Sequence, residues 1–247
     1  MAGLDWLTGR PVAHRGLHDA ASGVIENTLS AARRAIEGNY AIEIDVQADA
    51  DLQPVVFHDS SLDRLTTGSG RLSAMSAAEL AAVPFKGTDD RIPTLRQFLD
   101  VVAGQVPLII EVKTDGSGQS AFCGRIAEVL EGYGGPVAVM SFDPKTVDSF
   151  RIQAPALPRG IVAESFKEEK PEGASAWDTY VQRHLLHAGR TRPHFVAYCI
   201  DDLPAVAPLA LRWIFGTPLL TWTVRTDAQR ERGRRWADQI IFEGFRA

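Results

Sequence analysis

Eight short β-rich runs recur along this chain, and helical patterns lie between most of them. The runs are PVAH (11–14), AIEIDV (41–46), PLIIEVK (107–113), PVAVMSF (136–142), RGIVAE (159–164), HFVAYCI (194–200), PLLTWTV (218–224) and QIIFEGF (239–245). The helical patterns include NTLSAARRAIEGN (27–39), QSAFCGRIAEVLEGYG (119–134) and SAWDTYVQRHLLHAG (175–189). Several runs are apolar on both faces, as parallel strands covered by helices must be. Strand–helix alternation at this spacing points to a parallel sheet. Eight runs favour a closed barrel over an open doubly wound sheet, and no G-x-G-x-x-G follows the first run to argue for the open form. The fold class expected is α/β, a (β/α)8 TIM barrel. With 247 residues, 45% of them hydrophobic, the chain can bury one large core, so 1–247 is expected to form a single domain.

A ninth run, PVVFHD (54–59), follows the second after only ADADLQ (48–53). That gap is too short for a parallel crossover, so a hairpin is expected, with its turn near Asp51 and with Glu43 and His58 roughly opposite each other. Residues 60–93 contain turn signals, a short helical piece and little continuous core. They read as a small insertion that covers one side of a pocket, not as a second domain.

The formal net charge of −5 argues against a nucleic-acid backbone as partner. The densest basic stretch, RTDAQRERGRR (225–235), reads as the wet face of one helix. No secretion signal or membrane span is visible, and Cys123 and Cys199 fall in apolar patterns as free thiols, so a cytoplasmic location is expected. The oligomeric state is undetermined by sequence.

Polar residues collect at the C-terminal ends of the early strands: His14 and Arg15, Glu43 and Asp45, His58 and Asp59, Glu111 and Lys113. In a barrel those ends share one mouth, where active sites are assembled. Period two puts Glu43 with Asp45 on one face, and Glu111 with Lys113 on another. Three convergent carboxylates repel one another unless a cation sits among them, and an all-oxygen set favours a hard ion, one Mg²⁺ or Ca²⁺. Zn²⁺ stays open because two histidines are near. The competing explanation is a ring of salt bridges, with Arg15 and Lys113 neutralising the acids. His14 and His58 beside this triad read as an acid/base pair, with His14 favoured as base and His58 as acid. Arg15 offers a planar fork for phosphate oxygens, and Lys113 a compact charge. Together these groups describe phosphoryl chemistry, and the absence of a G-x-x-x-x-G-K-[ST] motif argues against nucleotide-driven transfer.

The ordered set HRG (14–16), ENT (26–28), EID (43–45), HD (58–59), LDRLTTGSG (62–70), EVK (111–113), SF (141–142) and WTV (222–224) resembles the glycerophosphodiester phosphodiesterases over nearly the whole chain. The resemblance implies a metal-dependent barrel enzyme that cleaves glycerophosphodiesters to sn-glycerol 3-phosphate and an alcohol. By the same resemblance Glu43, Asp45 and Glu111 hold the metal, His14 and His58 run acid/base catalysis, and Arg15 contacts phosphate with Lys113 beside it. Glu26 matches a residue that supports the metal shell or the substrate hydroxyls. Two departures stand out. LHDAASGVI (17–25) replaces a glycine-rich stretch and adds His18 and Asp19, and Glu243 stands where the family commonly has Asp.

For the rest of the substrate, Phe142 and Trp222, with Phe57 or Phe85 near the insertion, are candidates for an apolar wall. Such a wall suits a choline-like head group through cation–π contact, and equally a lysolipid chain, which makes a lysophospholipase D the closest rival activity. A non-catalytic barrel that only binds phosphodiesters is the other alternative. The nucleophile is left open between metal-activated water and the glycerol 2-hydroxyl.

Overall fold

Side-chain alternation along the strands builds the barrel. The computed structural model describes residues 3–114, 120–166 and 175–247. Nine strands occur among them: β1 (Val12–Ala13), β2 (Ala41–Ala48), β3 (Pro54–Val56), β4 (Leu108–Val112), β5 (Val137–Ser141), β6 (Arg159–Ala163), β7 (Phe195–Cys199), β8 (Leu219–Val224) and β9 (Gln239–Phe242). The order β1-β9-β8-β7-β6-β5-β4-β2 is parallel throughout, and β1 pairs back on β2, so eight strands close into a TIM barrel. The α-helices among the described residues are α1 (Asp5–Thr8), α2 (Leu29–Glu37), α3 (Ala77–Ala82), α4 (Leu95–Val102), α5 (Ser120–Leu130), α6 (Pro144–Gln153), α7 (Ala176–Arg183), α8 (Ala188–Thr191), α9 (Val206–Phe215) and α10 (Asp227–Trp236). The pattern expected at 119–134 starts one residue outside the described set. The one expected at 175–189 divides into α7 and α8 around Leu185, whose φ is +53°. The basic stretch falls on α10 as expected. Among the described residues no helix is long and apolar enough to cross a membrane.

Ile42, Ile44 and Val46 of β2, like Leu108, Ile110 and Val112 of β4, point outward into one large cluster with the helices. Their neighbours point inward. Val12, Ala41, Ile109, Ala138, Met140, Val162, Phe195, Ala197, Leu220 and Ile241 fill the barrel together with Leu7 of α1. Fully burying each large aliphatic side chain is worth roughly 1.5–3 kcal/mol. One strand turn further along, the same inward rows change to Glu43, Asp45 and Glu111, so the apolar plug becomes the floor of a polar mouth. Gly160 of β6 makes room for the plug, since a Cβ there would lie 2.4 Å from the Phe195 ring.

β3 runs antiparallel to β2 with Val46 opposite Val56 and Ala48 opposite Pro54, a turn centred on Asp51 as expected. Continuing that register sets His58 opposite Ile44 and Glu43 opposite Asp59, one residue from the expected pairing. The insertion is better packed than its sequence indicates. Val55, Phe57, Leu62, Leu72, Leu80, Phe85 and Ile92 form a separate buried cluster with Ile25. Phe57 and Phe85 are 0% and 2% exposed, which removes both from any substrate-facing wall.

Candidate active site

The HRG and ENT segments form one interlocked corner at the end of β1. Gly16 has φ +78°, and a Cβ there would lie 2.8 Å from the Cβ of Ala31 in α2, so only glycine lets the chain turn this close to the helix. Thr28 caps α2 by accepting from the Ala31 amide at 3.2 Å. Just before that cap, Asn27 in left-handed conformation reaches Asp45 twice. Its Nδ2 donates to Asp45 Oδ2 at 2.9 Å, and its Oδ1 accepts from the Asp45 amide at 3.1 Å.

Glu43, Asp45 and Glu111 converge as expected, each offering a carboxylate oxygen within 4.8 Å of the others. Glu43 and Asp45 are only 1% and 2% exposed. Positive charge partly compensates them. Lys113 Nζ lies 3.1 Å from Glu111 Oε1 and 3.2 Å from Asp45 Oδ1, and Arg15 Nε lies 3.2 Å from Asp45 Oδ2 without the alignment of a hydrogen bond. Three acids thus face two cations, so the salt-bridge arrangement is present but leaves one negative charge in excess. The imbalance falls on Glu43. Burial, then repulsion from Asp45 and Glu111, raises its pKa well above the usual carboxylate range. Burial acts the same way on Asp45, but Lys113 and Arg15 overcome it and hold that group well below its ordinary value. For Lys113, desolvation is outweighed by Glu111 and Asp45, which push the ammonium up. An all-oxygen set with an excess negative charge fits a hard divalent cation. Glu164, Cys199 and Asp202 also bring one donor atom each within 4.8 Å of one another. Burial pushes the Cys199 thiol up to about 11, so it is not a thiolate at neutral pH and suits such an ion poorly.

Both histidines sit at this mouth, each backed by a carboxylate. His14 Nδ1 lies 2.5 Å from Glu243 Oε2, while its Nε2 points toward Glu43 at 3.9 Å. Glu243 also takes Arg225 Nε at 2.5 Å and lies 3.6 Å from His18 Nε2. Burial would raise the Glu243 pKa, but the bond to His14 and the nearby His18 and Arg225 hold it far below the carboxylate range. His58 Nδ1 lies 2.7 Å from Asp59 Oδ1. Burial lowers the His58 pKa, and Asp45 opposes that shift. Since carboxylates only accept, each pair fixes a proton on Nδ1 and leaves Nε2 for chemistry.

Glu26 is linked to the triad through Arg15, whose Nε lies 3.2 Å from Asp45 Oδ2. It accepts from Arg15 Nη1 at 2.7 Å and from Arg64 Nη2 at 2.8 Å. Phe142 and Trp222 form an edge-to-face pair with centroids 5.4 Å apart, and Phe166 stands 6.5 Å beyond Phe142. Trp222 Nε1 is buried with no hydrogen-bond partner among the described residues. Sequence reasoning missed the roles of Asn27, Asp59, Arg64 and Arg225. The first three lie inside the quoted ENT, HD and LDRLTTGSG segments, whereas Arg225 lay hidden at the start of the basic stretch, just before the N-cap of α10.

The model of the glycerophosphoryl diester phosphodiesterase family matches residues 14–243, and the chain belongs to that family. A glycerophosphodiester phosphodiesterase of Caldanaerobacter subterraneus subsp. tengcongensis is 32% identical over 164 residues, covering 61% of this chain and 65% of the relative. Glycerophosphodiester phosphodiesterase 1 of Rattus norvegicus is 38% identical over 96 residues, covering 35% of this chain and 28% of its own length. The chain thus spans less than two thirds of the length of the first curated relatives it matches. An Oleispira antarctica phosphodiesterase, solved in complex with the product sn-glycerol-3-phosphate, shares the fold with TM-score 0.78 at 22% identity, covering 96% of this chain and 94% of that one.

Proposed function

We propose that this member of the family hydrolyses glycerophosphodiesters to sn-glycerol 3-phosphate and an alcohol, using one divalent cation held by Glu43, Asp45 and Glu111. The observation that carries the reading is the pairing of that triad with two carboxylate-backed histidines at one barrel mouth. A dication turns the excess of one negative charge into a surplus of one positive charge, which a singly charged diester balances. That cation supplies Lewis-acid stabilisation of the phosphoryl oxygens. Mg²⁺ and Ca²⁺ both fit the oxygen donors, with Mg²⁺ favoured for the cytoplasm that the free thiols suit.

The chain's own groups do the rest. Arg15 presents its guanidinium to the phosphate, aligned by Glu26, and Lys113 adds a second positive charge beside Asp45 and Glu111. His14, with Nδ1 held by Glu243, takes the proton of the attacking oxygen at Nε2. His58, with Nδ1 held by Asp59, gives a proton to the departing alcohol from Nε2. Phe142 and Trp222 flank the glycerol or head group through their paired rings. Phe142, Trp222 and Phe166 make a compact aromatic group suited to a small head group. Purified protein incubated with glycerophosphocholine, glycerophosphoethanolamine or a lysophosphatidylcholine, with Mg²⁺ and then Ca²⁺, tests this. sn-Glycerol 3-phosphate from the first two is expected. A preference of about 10²-fold for the lysolipid would favour lysophospholipase D, and diester binding without product would make the protein a binding barrel.

A further inference from the structure

Arg64 comes from the insertion, not from any barrel strand, yet all three of its guanidinium nitrogens end at the mouth. Nε and Nη2 donate to Asp59 Oδ2 and Oδ1 at 2.6 and 2.9 Å. Nη1 and Nη2 donate to Glu26 Oε2 and Oε1 at 3.2 and 2.8 Å. Two carboxylates are thus each gripped by a fork, the geometry that only guanidinium supplies. Both carboxylates already have another task. Glu26 Oε1 is also the acceptor for Arg15, and Asp59 Oδ1 is also the partner of His58 Nδ1. The result is a continuous chain from Arg15 through Glu26, Arg64 and Asp59 to His58.

The segment bearing Arg64 is itself anchored. Lys86 Nζ donates to the carbonyls of Asp63 at 2.6 Å and Arg64 at 3.3 Å, and neighbouring Leu62 is fully buried in the small cluster. An ordinary surface ion pair contributes little to stability and nothing to rate. Arg64 is half exposed, so its effect on stability is of that size. Its effect on geometry is larger, because the groups it fixes must meet substrate within fractions of an ångström.

We propose that Arg64 is a positioning residue through which the insertion aligns both the phosphate-facing Arg15 and the acid/base His58. The inference rests on the phosphodiesterase reading above. Arg64→Gln removes both forks without touching the triad or either histidine. With a glycerophosphodiester and saturating Mg²⁺, kcat/KM is expected to fall about 10- to 100-fold, through a raised KM (Arg15) and a lowered kcat (His58). Arg64→Lys, which keeps the charge but supplies neither fork, recovers only part. The distinguishing readout is non-additivity. In an Asp59→Asn background Arg64→Gln no longer lowers kcat, and in a Glu26→Gln background it no longer raises KM. Melting temperatures within a few degrees of the parent show that the variants fold, and if Arg64→Gln does not fold, Arg64→Lys carries the comparison. An active parent whose Arg64→Gln variant keeps kcat and KM within about twofold, or whose double variants are additive, overturns this inference alone. A parent with no turnover overturns the phosphodiesterase reading and this inference together.

Discussion

Glu43→Gln isolates the charge imbalance at the barrel mouth. Gln keeps the shape and an oxygen to accept the Arg15 amide now bonded to Glu43 at 3.0 Å, while removing a buried charge that Arg15 only partly compensates. Without a divalent ion the variant is expected to melt no lower than the parent, because it loses repulsion from Asp45 and Glu111. With the ion the order reverses. A ligand at a hundred times its dissociation constant stabilises by about 2.7 kcal/mol. For a chain of this length each kcal/mol moves the midpoint by about 2–4 °C, so the parent should gain roughly 5–10 °C. The variant, lacking one of three ligands, should gain less than about 2 °C at the same concentration. Differential scanning calorimetry in chelator, Mg²⁺ and Ca²⁺ reads all of this directly. A variant that gains as much as the parent, or a parent that gains nothing from either ion, refutes the assignment of Glu43 as a ligand.

Three further outcomes follow from the packing. His187 is 7% exposed with neither ring nitrogen bonded among the described residues, and burial with Arg190 nearby lowers its pKa from 6.5 to about 4. Its contribution to stability is complete above the unfolded pKa and is lost as pH falls toward 4, about 3 kcal/mol in all, so His187→Leu should flatten urea midpoints across that window. Gly160→Ala should destabilise by about 1–3 kcal/mol through collision with Phe195, with partial recovery in a Phe195→Leu background, as chemical denaturation would show. Glu243→Gln should lower kcat about 10-fold or more with KM little changed, and Glu243→Asp should recover part, since the loss is of His14 alignment.

Much of the fold was legible because inward and outward residues alternate so regularly on β2 and β4. AIEIDV carries its outward isoleucines and inward acids in plain order, and the short gap before PVVFHD left only a hairpin. The one-residue offset opposite His58 follows from the register itself: a turn centred on Asp51 sets Ile44 opposite His58, and the Phe57 amide still bonds the Asp45 carbonyl at 3.0 Å. Phe57 and Phe85 were misplaced for a related reason. An aromatic residue beside a mouth has the same sequence signal whether it faces substrate or a satellite core, and here they pack at 6.0 Å against each other. The triad and the histidines were legible from strand-end spacing. Their supports were less so, because Arg64, Asn27 and Arg225 act through side-chain bonds that span distant segments and leave no periodic trace.

Hydrolysis of glycerophosphocholine followed by ³¹P NMR in the parent, His14→Ala and His58→Ala proteins, all with saturating Mg²⁺, addresses the central claim most directly. The diester resonance should give way to sn-glycerol 3-phosphate with the parent. Each variant should be slower by at least about 10²-fold while keeping the cation-induced rise in melting temperature. Near-parent turnover by either variant, or an unchanged diester signal with the parent despite bound diester and cation, would contradict it.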